Sequence, residues 1–234
     1  MDENPRDITA CRSGAERAAG ALLAARDAIR GAAAIEVPLD ALRGPEDWPS
    51  VYGAAGLFHV EIGAGRDTLL LELSRRFPDR LILGFECSRD RVERLARKIE
   101  RAGAANVRLV RSEALQCIAR LLPAESVESF YVLFPDPWPK KRHEDKRLVS
   151  SPSVRLLASR LVPGGRIFLK TDDPDYSRRM LDVLEKTPFL RNEHGPGCFA
   201  PCEDALSHET LYERKWRAQG RAIYALVYVR TAEP

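Results

Sequence analysis

Residues 57–86 read LFHVEIGAGRDTLLLELSRRFPDRLILGFE, and the succession of patterns in them decides the fold. Leu57 to Ile62 is a short apolar run, the pattern of a buried strand, and Gly63-Ala64-Gly65 closes it. Thr68 to Phe77 carries leucines at helical spacing and stops at Pro78-Asp79, since proline has no amide hydrogen with which to continue a helix. Leu81 to Glu86 is a second apolar run, this time with an acidic tip. Strand, tight turn, helix and strand in that order make a βαβ unit, whose strands run parallel and whose crossover is right-handed.

The alternation continues downstream. A charged helix over Asp90 to Arg101 stops at Gly103, and Val107 to Val110 is a third strand. Ser112-Glu113-Ala114 leads into a helix from Leu115 to Leu122, and Tyr131 to Phe134 is a fourth strand. A helix over Pro152 to Leu161 ends in Pro163-Gly164-Gly165, and Arg166 to Lys170 is a fifth strand. Thr171-Asp172-Asp173 opens a helix over Tyr176 to Lys186, residues 187–209 read as irregular, and residues 222–230 form a final strand. The expected fold is therefore α/β and Rossmann-like: a doubly wound, mostly parallel sheet with helices on both faces. Ahead of it, residues 1–34 become rich in Ala and Arg and read as a helix with a frayed start, and residues 35–56 carry enough Pro and Gly to read as loop. We assign residues 1–50 to a helical or irregular extension and residues 51–234 to one domain.

Composition narrows the function by exclusion. The 37 basic and 34 acidic residues leave a net charge of only +3, so nucleic-acid binding needs a local patch to support it. No apolar run approaches the roughly 20 residues of a membrane span, and the acidic, polar start has no signal-peptide core. Five scattered cysteines, Cys11, Cys87, Cys117, Cys198 and Cys202, argue against a disulfide framework and for a reducing cytoplasm. Cys198 and Cys202, with His194 and His208 at loose spacings, lack the tight pairing of a zinc site, so no metal is expected.

In doubly wound sheets, ligands bind at the carboxyl ends of the strands. Gly63 and Gly65, Glu86, Glu113, Asp136 and Asp172 each follow a strand and so share one edge. Glycines at the first turn let the backbone approach a ligand. A dinucleotide site would want a third glycine for its pyrophosphate; here Asp67 stands there and would repel phosphate. Glu61, two residues before the first glycine, also points to a cationic group. Glu86 is placed to accept hydrogen bonds from ribose hydroxyls, and Glu113 to meet an exocyclic amine. A ligand with a ribose, an adenine, a positive centre and no phosphate is S-adenosylmethionine.

The fourth strand runs into Phe134-Pro135-Asp136-Pro137-Trp138-Pro139 and then the basic run Lys140, Lys141, Arg142, His143, Lys146, Arg147. Three prolines fix φ and bias the residues before them to extended geometry, which holds one carboxylate and one aromatic still. The cations suit a polyanion.

FPDPWPKKRH, following EIGAG, GFE and SEA, resembles the bacterial tRNA (guanine-N7-)-methyltransferase family, and the resemblance spans residues 57–230. Lys170-Thr171-Asp172 resembles its strand-end T-D element, and Thr210-Leu211-Tyr212-Glu213-Arg214-Lys215 its late T-x-F-E-x-R/K element, with Tyr212 replacing Phe. The resemblance implies S-adenosylmethionine held by Glu61, Gly63, Gly65, Glu86, Glu113 and Asp136, with Asp136 as the active-site residue. It implies tRNA contacts from Lys140, Asp172, Thr210, Leu211, Tyr212 and Glu213, and methylation at N7 of a variable-loop guanine; the protein is expected in the cytoplasm, as a monomer or homodimer. The chain departs from the family's pattern at Asp67, usually Gly, at Asp173, usually Trp, and at Glu144 and Asp145 within the basic run. Two alternatives stay open: a same-fold methyltransferase acting on a non-RNA substrate, and an RNA-binding homologue without turnover, which Asp67 would favour.

Overall fold

The computed structural model describes residues 35–37, 44, 57–202, 206 and 208–232, with the backbone alone at Lys141. The helix expected over residues 1–34 and nearly all of the 35–56 loop lie outside the described residues. The elements in chain order are β1 (Phe58–Ile62), α1 (Leu69–Arg76), β2 (Leu81–Phe85), α2 (Arg89–Ala102), β3 (Val107–Val110), α3 (Ala114–Leu121) and β4 (Val127–Leu133). A 3-10 turn (Lys141–Lys146) precedes α4 (Ser151–Arg160), β5 (Leu161–Thr171), α5 (Pro174–Glu185), β6 (Leu190–Asn192), α6 (Leu211–Ala218) and β7 (Tyr224–Arg230).

One seven-stranded sheet has the order β3-β2-β1-β4-β5-β7-β6. Its first five strands pair in parallel, β7 lies antiparallel to β5, and β6 antiparallel to β7. Every residue of β1 and β2 is buried, as a strand covered on both faces requires. Leu69, Leu70 and Leu73 of α1 pack with Val92, Leu95 and Ile99 of α2 on one face; α3, α4 and α5 cover the other. The chain leaves β1 toward β2 and β3 and returns on the opposite side at β4. The strand order therefore reverses at the carboxyl ends of β1 and β4, where such sheets bind ligands.

Two strands are among the elements that differ from the sequence reading. Leu190–Asn192 is a three-residue strand inside the segment read as irregular, too short to show a period. Strand β5 starts at Leu161 and runs through Pro163-Gly164-Gly165, read above as the end of the preceding helix. A Cβ on Gly165 would stand 2.9 Å from the Val162 carbonyl oxygen and 3.1 Å from those of Val127 and Glu128. That glycine marks a close strand approach. On the outer side of β3, Leu109 exchanges hydrogen bonds with the backbone of Ile35 and Val37. Among the described residues no helix is long and apolar enough to cross a membrane.

His59 of β1 is buried and stacks on Phe77 at 4.0 Å. Its Nδ1 lies 3.2 Å from the Tyr131 hydroxyl, and its Nε2 is 3.1 Å from the Glu128 carboxylate without the alignment of a hydrogen bond. Burial lowers the imidazole pKa to about 4, against the pull of Glu128, which Arg80 also pairs at 2.9 Å. The unfolded chain takes up that proton near the ordinary value of about 6.5, so the neutral ring's stabilisation is complete above that pH and is lost as pH falls toward 4. Urea unfolding at pH 7 and pH 4.5 should show a loss of about 2–3 kcal/mol from this group, a loss that His59→Phe removes. An unaltered pH dependence in the variant would contradict the assignment.

Candidate active site

Gly63 and Gly65 adopt φ of +81° and +59°, conformations that glycine alone takes freely. The turn they make after β1 is held by the Gly63 and Ala64 amides, which donate to the Phe85 carbonyl at 2.8 and 2.9 Å. Glu86, at the tip of β2, accepts the Gly65 amide at 3.0 Å and the Ser88 amide at 2.9 Å, with the Arg91 guanidinium 3.6 Å away. Glu61 is only 3 % exposed and has no hydrogen-bond or ion-pair partner among the described residues. Burial, then the charges of Asp67 and Glu86, push its carboxyl well above the ordinary range. A buried carboxylate crowded by two others is short of positive charge. Glu113 precedes α3 and is exposed; with Glu86 it pushes up the Cys87 thiol, which burial raises most. The carboxylates that follow β2 and β3 therefore act on one thiol.

The proline corner after β4 is strained at both ends. Phe134 and Trp138 have φ of +52° and +42°, a conformation that costs a non-glycine residue about 1–3 kcal/mol. The first is tied to the sheet by its amide, which donates to the Lys170 carbonyl at 2.8 Å. Around the second, Arg147 closes the corner: its guanidinium donates to the Pro137 carbonyl at 2.8 Å, the Trp138 carbonyl at 3.0 Å and Glu144 at 3.1 Å. Glu144 takes a second cation, Arg179, at 3.1 Å. Arg147 is 12 % exposed, so the sequence expectation of a phosphate ligand is corrected: its donors are spent on the corner. Lys146 lies over the Trp138 ring at 5.1 Å, and His143 meets that ring edge-on. Asp136, Lys140, Arg142 and Lys146 are exposed. Arg147→Ala should lower the unfolding free energy by about 2–3 kcal/mol, the scale for losing charge-assisted bonds to half-buried carbonyls, as read by urea denaturation. A change below 1 kcal/mol, roughly the value of an exposed pair, would refute the brace.

The late T-x-x-E segment forms the start of α6, a helix the sequence reading did not place. Thr210 caps it by accepting the Glu213 amide at 3.0 Å, and both side chains are buried. Glu213 pairs Lys170 at 2.8 Å and Arg217 at 2.8 Å, and Lys170 also donates to the Leu206 carbonyl at 3.2 Å. Of the residues expected to touch RNA, Thr210 and Glu213 therefore hold the helix in place, while Leu211 and Tyr212 are 45 % and 51 % exposed. Asp172 is half-buried and pairs Arg221 at 2.7 Å; the Arg221 guanidinium lies 4.1 Å from the Trp216 ring centre, and the Lys215 ammonium 4.3 Å. Asp173 caps α5 through the Tyr176 amide at 2.7 Å, which accounts for its residue type.

Of the residues expected in the site, Gly65, Leu211 and Tyr212 line one cleft of about 350 Å³, together with Arg66, Arg91 and Lys215; the strand-end carboxylates are not in its lining. The cleft joins a glycine-turn residue to the exposed face of α6, and Phe134 of the proline corner lies 6.2 Å from the Tyr212 ring. Arg66 and Arg91 were not singled out from the sequence, whereas Lys215 closes the late T-x-F-E-x-R/K element. Arg66 follows the glycine turn and Arg91 lies in α2, and no quoted motif includes either.

The sheet order and its covering helices are those of the class I methyltransferase fold. A solved 16S rRNA methyltransferase, KamB, superposes with a TM-score of 0.56 at 15 % identity over 80 % of this chain and 93 % of its own. The aminoglycoside resistance methyltransferase NpmB1 gives 0.54 at 18 % identity, over 80 % and 93 % of the two chains. A family described as "Putative methyltransferase" matches residues 55–226. The chain is 37 % identical to the tRNA (guanine-N(7)-)-methyltransferase of Alkalilimnicola ehrlichii over 81 % of its length and 79 % of that protein's. It is also 37 % identical to the Halorhodospira halophila protein of the same name, over 80 % of each. The chain belongs to the tRNA (guanine-N(7)-)-methyltransferase family.

Proposed function

We propose that this chain transfers a methyl group from S-adenosylmethionine to N7 of a guanine in the variable loop of tRNA, in the cytoplasm. The observation that carries the reading is the shared cleft: Gly65, on the expected cofactor side, and Leu211 and Tyr212, on the expected RNA side, line one space.

The residues present fit the cofactor. Glu61 is a buried carboxylate without a partner among the described residues, which suits a cationic ligand group. Glu86 spends one hydrogen bond per oxygen on backbone amides and keeps acceptor capacity for ribose hydroxyls. When bound, the cofactor's sulfonium supplies a methyl group already activated for transfer. The chain's own work is positioning and charge management. Guanine N7 carries a lone pair and no proton, so no general base is required. Asp136, exposed on its braced corner, accepts hydrogen bonds from the guanine N1–H and amino group and offsets the positive charge that the purine gains. Tyr212 offers an exposed face for stacking an unstacked base. Lys140, Arg142 and Lys146 on the corner side, with Arg66, Arg91 and Lys215 around the cleft, supply cations for phosphates, in a salt-dependent way.

The test is incubation with methyl-labelled S-adenosylmethionine and unmodified tRNA, followed by nucleoside analysis. Labelled 7-methylguanosine is expected. Label in another nucleoside, or none, would overturn the assignment, and calorimetry without cofactor binding would overturn any methyltransferase reading.

A further inference from the structure

Asp67 stands where the resemblance leads one to expect glycine, and the structure gives it a full set of partners. One oxygen accepts the Thr68 amide at 2.7 Å and lies 3.0 Å from His208 Nε2; the other accepts the Leu211 amide at 2.9 Å. The imidazole continues the chain, with Nδ1 2.6 Å from the Glu72 carboxylate of α1. Asp67 and His208 are 12 % and 11 % exposed. Leu211 is the first residue of α6, so its amide is among the helix's unsatisfied donors, and a carboxylate there also meets the positive end of the helix dipole. The glycine turn and α6, distant in sequence, are thus joined through one side chain.

Resting on the function proposed above, we propose that Asp67, bridged by His208, is a positioning residue that couples the glycine turn to α6 and so links cofactor binding at Gly65 to tRNA binding at Tyr212 and Lys215. A ligand that orders either side of the joint orders the other, and the coupling is reciprocal. The groups facing His208 are Asp67 from the glycine turn and Glu72 from α1; Glu61 from β1 in turn feels the Asp67 charge. With a carboxylate at each nitrogen, the imidazolium is the form that satisfies both. Those carboxylates, Asp67 first, raise the His208 pKa against burial. The charged bridge is therefore present below that raised pKa and lost as pH climbs through it. The same joint turns Asp67 from an expected liability into a structural partner.

The experiment measures S-adenosylhomocysteine affinity by calorimetry with and without saturating unmodified tRNA, on wild type, Asp67→Gly and His208→Gln, at pH 6.5 and pH 9. In wild type the two affinities should differ by about 5-fold or more at pH 6.5, the scale of an ordinary coupling free energy, and converge at pH 9. Both variants should bring the ratio toward 1, and His208→Gln should remove its pH dependence. A ratio preserved in both variants, or a wild-type ratio of 1 at both pH values, overturns the proposal while leaving the function intact. A wild type that binds neither ligand overturns both. If Asp67→Gly unfolds, the wild-type pH series and His208→Gln still decide.

Discussion

Asp136→Ala is expected to lower kcat by roughly 100- to 1,000-fold, the scale for removing one preorganised electrostatic contact at the reacting centre. The melting temperature should barely move. Asp136 is exposed and makes no hydrogen bond or ion pair among the described residues, so its removal leaves no buried group unpaired. Its place is fixed by other residues: Phe134 by the Lys170 carbonyl, and Pro137 and Trp138 by Arg147. Asp136→Asn separates two roles. An amide oxygen still accepts a hydrogen bond but cannot offset the charge on the methylated purine, so this variant should fall between wild type and Asp136→Ala. Steady-state kinetics with saturating tRNA, beside a thermal melt, make the check. A kcat within 3-fold of wild type for Asp136→Ala would remove Asp136 from the chemistry.

The largest stability effect is expected at Lys170. Its ammonium is 2 % exposed and its partner Glu213 equally sealed, with Arg217 at the second Glu213 oxygen. Lys170→Met leaves the Glu213 charge buried and half-paired, which should cost about 3–5 kcal/mol in urea unfolding. Replacing both, Lys170→Met with Glu213→Leu, should recover much of that loss, because no charge is then stranded and the pair's own net value is small. The single variant should also raise KM for tRNA, since Glu213 and Leu206 are how α6 and the segment before it hold to β5. A double variant no more stable than the single one would show that packing, and not the stranded charge, sets the cost.

The parallel half of the fold was legible because each of its strands is a buried apolar run between turn signals. Leu81–Phe85 and Val107–Val110 need no partner to be recognised. The strand-end carboxylates could likewise be placed, since position in a doubly wound sheet follows from order along the chain. Helix α6 could not, because its one buried side chain is the carboxylate of Glu213 and no apolar stripe marks it. Arg147 reads as one more cation in a basic run. Only the backbone shows the Pro137 and Trp138 carbonyls in its reach, through a positive φ at a bulky residue that no local rule announces. Asp67 reads as a defect in a glycine motif because its partner His208 lies 141 residues away. Local pattern carries helices and strands; the pairing of charges across the chain appears only after folding.

The sheet's two rims have a consequence for how copies of this protein meet. A free strand edge invites another chain to add to it, the common start of aggregation. On one rim, the Leu109 amide and carbonyl of β3 are both satisfied by residues 35–37. On the other, β6 is three residues long and centred on Arg191, a short charged strand that gives an incoming chain little to register against. With both rims blunted among the described residues, the strength of any self-association should depend on salt and surface substitution more than on backbone pairing.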